Sequence, residues 1–159
     1  MMSDEVVVKQ TAPRTVAFIP MKGPYDRIEG TFGRLFGWVG KKGYTPIGPP
    51  LGLYLNSPEQ VPPEELLWEL QCPLSDDTAL SEPDASGVGV KKMNSAEVAC
   101  AVHKGPFEKV GETYARLWGW VNSNGYQIVG PPEEVYFSDP CTTHPAELLT
   151  EIRFPVSKG

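Results

Sequence analysis

Two glutamates stand out, because each interrupts a segment that otherwise reads as a buried strand. Glu69 lies in Leu66-Leu67-Trp68-Glu69-Leu70-Gln71-Cys72, and Glu151 in Leu148-Leu149-Thr150-Glu151-Ile152-Arg153-Phe154. Strand alternation sets Leu148, Thr150, Ile152 and Phe154 against Leu149, Glu151 and Arg153, and sets Leu66, Trp68, Leu70 and Cys72 against Leu67, Glu69 and Gln71. Alternation alone is satisfied by a wet face, with Arg153 beside Glu151. The same register in two places, between apolar neighbours, argues instead for partial burial. A partly buried carboxylate costs several kcal/mol unless paired. Two chemistries answer that cost. A cationic ligand would pair with the carboxylate, or burial would raise its pKa and make it a general acid or base.

Aromatic residues recur in matched pairs: Trp38 with Trp120, Tyr54 with Tyr136, Tyr25 with Phe107, and Tyr44 with Tyr126. Core packing accounts for most of them. The pairs at the helix flanks and on the third strand of each half are candidates for ligand contact. An aromatic face beside a carboxylate suits a flat or lipophilic cation, at about 0.5–2 kcal/mol per good cation–π contact. The two histidines, His103 and His144, fall opposite Met21 and Pro62 and are expected at the surface or in loops. Cys72, Cys100 and Cys141 are odd in number, lack metal spacing, and read as reduced thiols. No Ser/His/Asp arrangement is present, and nothing calls for a metal or cofactor. Gly48-Pro49-Pro50 has too few free N–H groups for a phosphate loop.

The elements that place these residues come from a duplication. Lys22-Gly23-Pro24-Tyr25 recurs 82 residues later as Lys104-Gly105-Pro106-Phe107, and the offset then holds without a gap. Arg34-Leu35-Phe36-Gly37-Trp38-Val39 matches Arg116-Leu117-Trp118-Gly119-Trp120-Val121. Gly43-Tyr44 matches Gly125-Tyr126, Gly48-Pro49-Pro50 matches Gly130-Pro131-Pro132, and Glu65-Leu66-Leu67 matches Glu147-Leu148-Leu149. Self-similarity of this length marks a repeated unit. The repeats run over about 6–74 and 88–156 of a single domain, 1–159, with an acidic linker over 75–87. Two copies imply a pseudo-twofold body with one shared site at its axis.

Within each repeat, Val6-Val7-Val8 and Thr15 to Met21 read as strands, Gly23-Pro24 opens a helix, and Leu53-Tyr54-Leu55 and Leu66 to Cys72 read as strands, the last stopped by Pro73. Ile28, Phe32, Leu35, Phe36 and Val39 form the apolar face of the first helix. Val110, Tyr114, Leu117, Trp118 and Val121 form that of the second, with Trp38 and Trp120 at its border. Gly43 and Gly125 end the helices. The predicted fold class is α+β: duplicated strand-helix-strand-strand modules giving a curved antiparallel sheet of about eight strands, with two helices on one face.

Composition excludes several classes. At 159 residues each half is near the lower limit for its own core. The net charge is −6, four of the negative charges coming from Asp76, Asp77, Glu82 and Asp84, and no basic stripe suits direct nucleic-acid binding. No apolar run approaches a membrane span and no signal peptide is visible, so a cytoplasmic location is expected.

The repeated Lys-Gly-Pro-Tyr/Phe, the helix ending Leu-Phe/Trp-Gly-Trp-Val, the following Gly-Tyr and the final Glu-bearing strand resemble GyrI-like proteins, the effector-binding domain superfamily of multidrug-sensing and AraC-type regulators. The resemblance covers about Val6 to Val156. It implies a central cleft lined by aromatics and a glutamate from a late strand, which carries over to Glu151 with Glu69 as symmetry mate. Trp38, Trp120, Tyr54, Tyr136, Tyr25 and Phe107 complete that expected binding set. The resemblance implies binding of a small hydrophobic ligand, cationic or polycyclic, by a module without a helix-turn-helix, reporting to or acting with a partner protein. A second implied role is hydrolysis of cyclopropane-containing natural products, with Glu151 activating water and Tyr136 positioning the substrate. Gyrase inhibition, and tetrapyrrole binding as in the SOUL proteins, are further roles of similar folds.

Overall fold

The computed structural model describes residues 6–139 and 142–159; Cys141 lies outside them. The chain is α+β, with strands β1 (Val7–Gln10), β2 (Arg14–Lys22), β3 (Leu51–Tyr54), β4 (Leu67–Leu74), β5 (Gly89–Met93), β6 (Glu97–Lys104), β7 (Tyr126–Ile128), β8 (Glu133–Tyr136) and β9 (Leu149–Lys158) and helices α1 (Ile28–Lys41) and α2 (Val110–Ser123). Each helix is entered through a short 3-10 turn, Tyr25–Arg27 and Phe107–Lys109, set up by the extended Pro24 and Pro106. Gly43 and Gly125 close the helices at φ 75° and 76°, the left-handed geometry a helix terminator needs.

The chain divides into two compact units. The first, 12–94, has the strand order β3-β4-β2-β5, all antiparallel. Its core joins α1 to one face of these strands: Leu35, Trp38 and Val39 meet Ala17, Ile19, Trp68, Leu70 and Cys72. The second unit, residues 6–11 with 95–159, has the order β1-β6-β9-β8, and β7 pairs with β9 beyond β8. Leu117 and Val121 of α2 meet Ala99, Ala101, Ile152, Phe154 and Val156.

Each unit takes its outer strand from the other repeat. By the 82-residue offset β1 is the counterpart of β5, yet β1 pairs with β6 and β5 pairs with β2. The registers correspond residue for residue: Val8 opposes Ala99 as Val90 opposes Ala17. Lys9 and Lys91 occupy equivalent places, so each repeat lends a lysine to the glutamate of the other. Lys9 Nζ lies 3.1 Å from Glu151, and Lys91 Nζ 2.8 Å from Glu69.

The structure corrects two local expectations. Pro73 and Pro155 do not stop their strands. β4 runs to Leu74 and β9 to Lys158. The carbonyls of these prolines accept from Ile47 and Val129, so the missing N–H faces a loop, and the strand ladder on the other side loses nothing. The buried helix stripe is rotated from the predicted one. Thr31, Leu35, Trp38 and Val39 are buried, whereas Phe36 and Trp118 are 40% and 56% exposed. The acidic linker 75–87 is anchored to the first unit. Ser81 bridges to Val90, the Trp38 indole donates to Asp84 (2.8 Å), and Arg34 donates to the Ser86 carbonyl (3.0 Å). The hydrogen bond from Trp38, followed by that from the Ser86 backbone, holds the Asp84 carboxyl below its ordinary range.

The exchanged strands make a clear prediction. Val8→Asp should accelerate amide exchange in β6 by about tenfold or more while leaving β2 protected, and Val90→Asp should do the reverse. Hydrogen-exchange mass spectrometry reads both. Equal loss in both strands would show that β1 and β5 do not belong to separate units.

Candidate functional site

The last strands of the two units carry the carboxylates that the sequence singles out. In β9, Ile152, Phe154 and Val156 face α2, so Glu151 and Arg153 lie on the opposite face. Glu151 is buried, accepting from Arg153 Nε at 2.6 Å and from Lys9 Nζ. Burial pushes its carboxyl up, but the hydrogen bonds and charges of Arg153 and Lys9 outweigh this, and the net shift is downward. Glu69 is likewise buried on the face away from α1, bound by Lys91 and by the Gln71 amide at 2.7 Å. Gln71 in turn receives Arg14 at 3.2 Å, and Lys91 sits 4.2 Å over the Phe18 ring. Both glutamates are thus paired with protein cations.

A different carboxylate occupies the helix-facing side of the second unit. Alternation in β8 sends Glu133 and Val135 to the far face and Glu134 and Tyr136 toward α2, opposite Ile152 and Thr150 of β9. Glu134 is half-buried and accepts two phenol hydrogen bonds, from Tyr114 of α2 at 2.6 Å and from Tyr136 at 3.0 Å. Burial raises its pKa as the dominant influence, opposed by the two tyrosine hydroxyls and, less, by the nearby His103. A carboxyl so held can stay ionised against a cation or carry a proton for exchange with a substrate.

Aromatic rings surround it. Phe107 meets Tyr136 edge-on, with centroids 5.9 Å apart at 90°. Tyr114 and the exposed Trp118, one helical turn apart, both contact Phe154, at 5.8 and 6.4 Å. His103, expected at the surface, is buried on β6. Its Nε2 lies 2.9 Å from the Pro106 carbonyl, which can only accept, so Nε2 donates there, and Nδ1 shares a hydrogen bond with the Thr113 hydroxyl at 2.9 Å. The ring thereby ties the residue before Phe107 to the residue before Tyr114. His144 is exposed and accepts from the Ala146 N–H at the start of a 3-10 turn.

The remaining predicted residues fall elsewhere. In the first unit Tyr25 meets Tyr54 edge-on at 5.5 Å and 86°, matching Phe107 and Tyr136. Trp38 is buried against Asp84, and Trp120 stacks on Tyr126 at 5.7 Å. Cys72 and Cys100 are free and buried, and burial pushes both thiols up to about 11. Among the described residues no group of three or more His, Cys, Asp or Glu could hold a metal ion, and no helix is long and apolar enough to cross a membrane. Neither Glu134 nor Tyr114 stands out among the sequence candidates, because neither has a like residue in the other repeat. The repeat offset places Glu134 opposite Gly52 and Tyr114 opposite Phe32. Departure from the repeat was the available signal.

Fold and site together define a ligand-binding module built from a duplicated α+β unit. Residues 4–157 match the model of the GyrI-like small molecule binding domain, and the chain belongs to this family. It is 29% identical over 140 residues to a DNA gyrase inhibitor of Serratia proteamaculans, covering 84% of this chain and 87% of that protein. The EcmrR C-terminal domain superposes with a TM-score of 0.85 at 21% identity, over 98% of both chains. SAV2435 bound to tetraphenylphosphonium superposes with a TM-score of 0.61 at 16% identity, over 96% of this chain and 94% of that one.

The two carboxylates should respond to pH in opposite directions. Glu134 binds its proton more tightly when folded, so it costs stability as pH rises from the ordinary glutamate range through its raised pKa. Glu151, with a lowered pKa, contributes stability that is lost as pH falls through that pKa. Urea unfolding should therefore show Glu134→Gln gaining on wild type as pH rises from the ordinary glutamate range, about 4.3, and Glu151→Gln gaining on wild type as pH falls below that range, where the wild-type contribution is lost. Parallel pH curves for the two variants would contradict this assignment.

Proposed function

We propose that this GyrI-like domain binds lipophilic cations on the helix-facing side of its second unit, with Glu134 supplying the charge. The observation that carries the reading is a half-buried carboxylate held by two tyrosine hydroxyls, with Trp118 open to solvent and the Phe107–Tyr136 pair at its side. A cation there neutralises a charge that burial disfavours, and the rings add cation–π attraction. The tetraphenylphosphonium in SAV2435, a multi-aryl cation on the same fold, supports this ligand class. Tyr136 and Phe107 keep their expected contact role. The acidic role moves from Glu151 and Glu69, whose charges are met by lysine and arginine, to Glu134. Without a ligand of its own charge, the first unit offers Tyr25 and Tyr54 only as apolar contacts.

Hydrolysis is the second reading, because a carboxyl with a raised pKa beside tyrosine hydroxyls has the equipment of a general acid or base. On that reading Glu134 takes the water-activating part first assigned to Glu151. Turnover of a cyclopropane-containing electrophile, lost in Glu134→Gln with binding retained, would establish it.

Thermal shift with tetraphenylphosphonium and planar polycyclic cations tests the binding reading. Ligand at 100 times its dissociation constant stabilises by about 2.7 kcal/mol, or roughly 5–10 °C for a chain of this size. Wild type and Glu151→Gln should both show the shift, while Glu134→Gln should lose it. Affinity should rise with pH, because the cation selects the ionised carboxylate. A shift that survives Glu134→Gln but disappears in Glu151→Gln would return the charge to Glu151.

A further inference from the structure

The repeat makes the first unit an internal control for the second. On the helix-facing side four positions change from apolar to polar across the 82-residue offset: Met21 to His103, Phe32 to Tyr114, Gly52 to Glu134, and Trp68 to Thr150. Trp68 is fully buried, and its indole donates to the Gly23 carbonyl at 2.9 Å. It lies opposite Met21 on one side and Tyr54 on the other. Thr150 lies in the same way between His103 and Tyr136. Glu134 and Gly52 are each the diagonal neighbour of this position, within reach of a long side chain.

The packing differs accordingly. The first unit's core runs without a break through Leu66 and Trp68 to Tyr25, Phe32 and Tyr54. The second unit's core ends at Ile152 and Tyr114, leaving Thr150, Tyr136 and Phe107 outside it. His103 takes over the indole's task of tying down the Gly-Pro turn, through Pro106. An indole at position 150 is therefore not needed there. The Thr150 hydroxyl is buried and finds no partner among the described residues, so the position is kept for its size and not for its hydrogen bond.

Resting on the binding site proposed above, we infer that Thr150 is the residue that opens it. The space that an indole fills in the first unit is given to the Glu134 carboxylate and its ligand in the second. Trp68 is the plug that leaves the first unit without a charged site, and the exchange of Trp68/Gly52 for Thr150/Glu134 sets both the place and the number of ligands bound.

A double-mutant cycle tests this. Thr150→Trp should lower the melting temperature, and adding Glu134→Gly should restore part of the loss, because the two side chains compete for one space. The shift of the double variant should be smaller than the sum of the single shifts. Thr150→Trp should weaken tetraphenylphosphonium binding by about tenfold or more, while the isosteric Thr150→Val, which removes only the unpaired hydroxyl, should bind within about threefold of wild type. Additive melting shifts, or failure of both Thr150→Trp and the double variant to fold, would overturn the inference. So would a folded Thr150→Trp protein that binds the cation as wild type does. A coupled cycle in a wild-type protein that binds no cation would refute the binding reading and leave the side-chain exchange intact.

Discussion

A buried carboxylate on a strand needs a partner, and Glu69 and Glu151 each receive a lysine from the other repeat. Lys9 reaches Glu151 on β9, and Lys91 reaches Glu69 on β4. The contact fixes more than a charge. It selects the register of β1 on β6 and of β5 on β2, since a slip of one residue would send each lysine to the helix side. The apolar faces that receive α1 and α2 follow from that register. Each pair is also reinforced locally, by Arg153 beside Glu151 and by Gln71 beside Glu69. A buried carboxylate with one flexible lysine would be a marginal element, and the second donor fixes its position.

With the far faces committed to structure, function is left to the helix-facing sides, where the two repeats have diverged. The first unit closes its core with an indole. The second breaks its core with histidine, tyrosine, glutamate and threonine, with hydrogen bonds from Tyr114 and Tyr136 to Glu134 and one shared by Thr113 and His103. Duplication supplies the scaffold twice, and only one copy has to remain well packed. The other can afford a buried carboxyl with a raised pKa, of the kind that ligand sites use.

The repeat and its elements could be read from the sequence because each rests on a local rule: helix periodicity, Gly after the last turn, strand alternation, and an ungapped offset. The shifted helix stripe could not, because Phe36 and Trp118 satisfy the 3.6 period as well as Trp38 does, and only the sheet decides which is covered. Strand exchange was also invisible, since β1 and β5 are equivalent by sequence and either pairing is compatible with it. Glu69 and Glu151 were correctly seen as carboxylates in need of a cation, but the sequence did not show that Lys9 and Lys91 would provide it. Glu134 was passed over because symmetry was taken as the mark of function. In this duplicated chain the charged group of the proposed site is an unmatched residue, set among rings such as Phe107 and Tyr136 that do have counterparts.

The exchanged strands have a consequence for the order in which the chain takes shape. The first unit draws on one continuous stretch, 12–94, and has all its strands once β5 has been synthesised. The second must close a contact between Lys9 and Glu151 across 142 residues of chain. Closure over such a span is slow compared with local pairing, and domains that are completed early in synthesis fold early. Until β6 and β9 arrive, β1 is an unpaired apolar strand, exposed to any open sheet edge it meets. The half of the protein that carries Glu134 is thus completed after the other, and the proposed ligand site cannot form before β9 has been made.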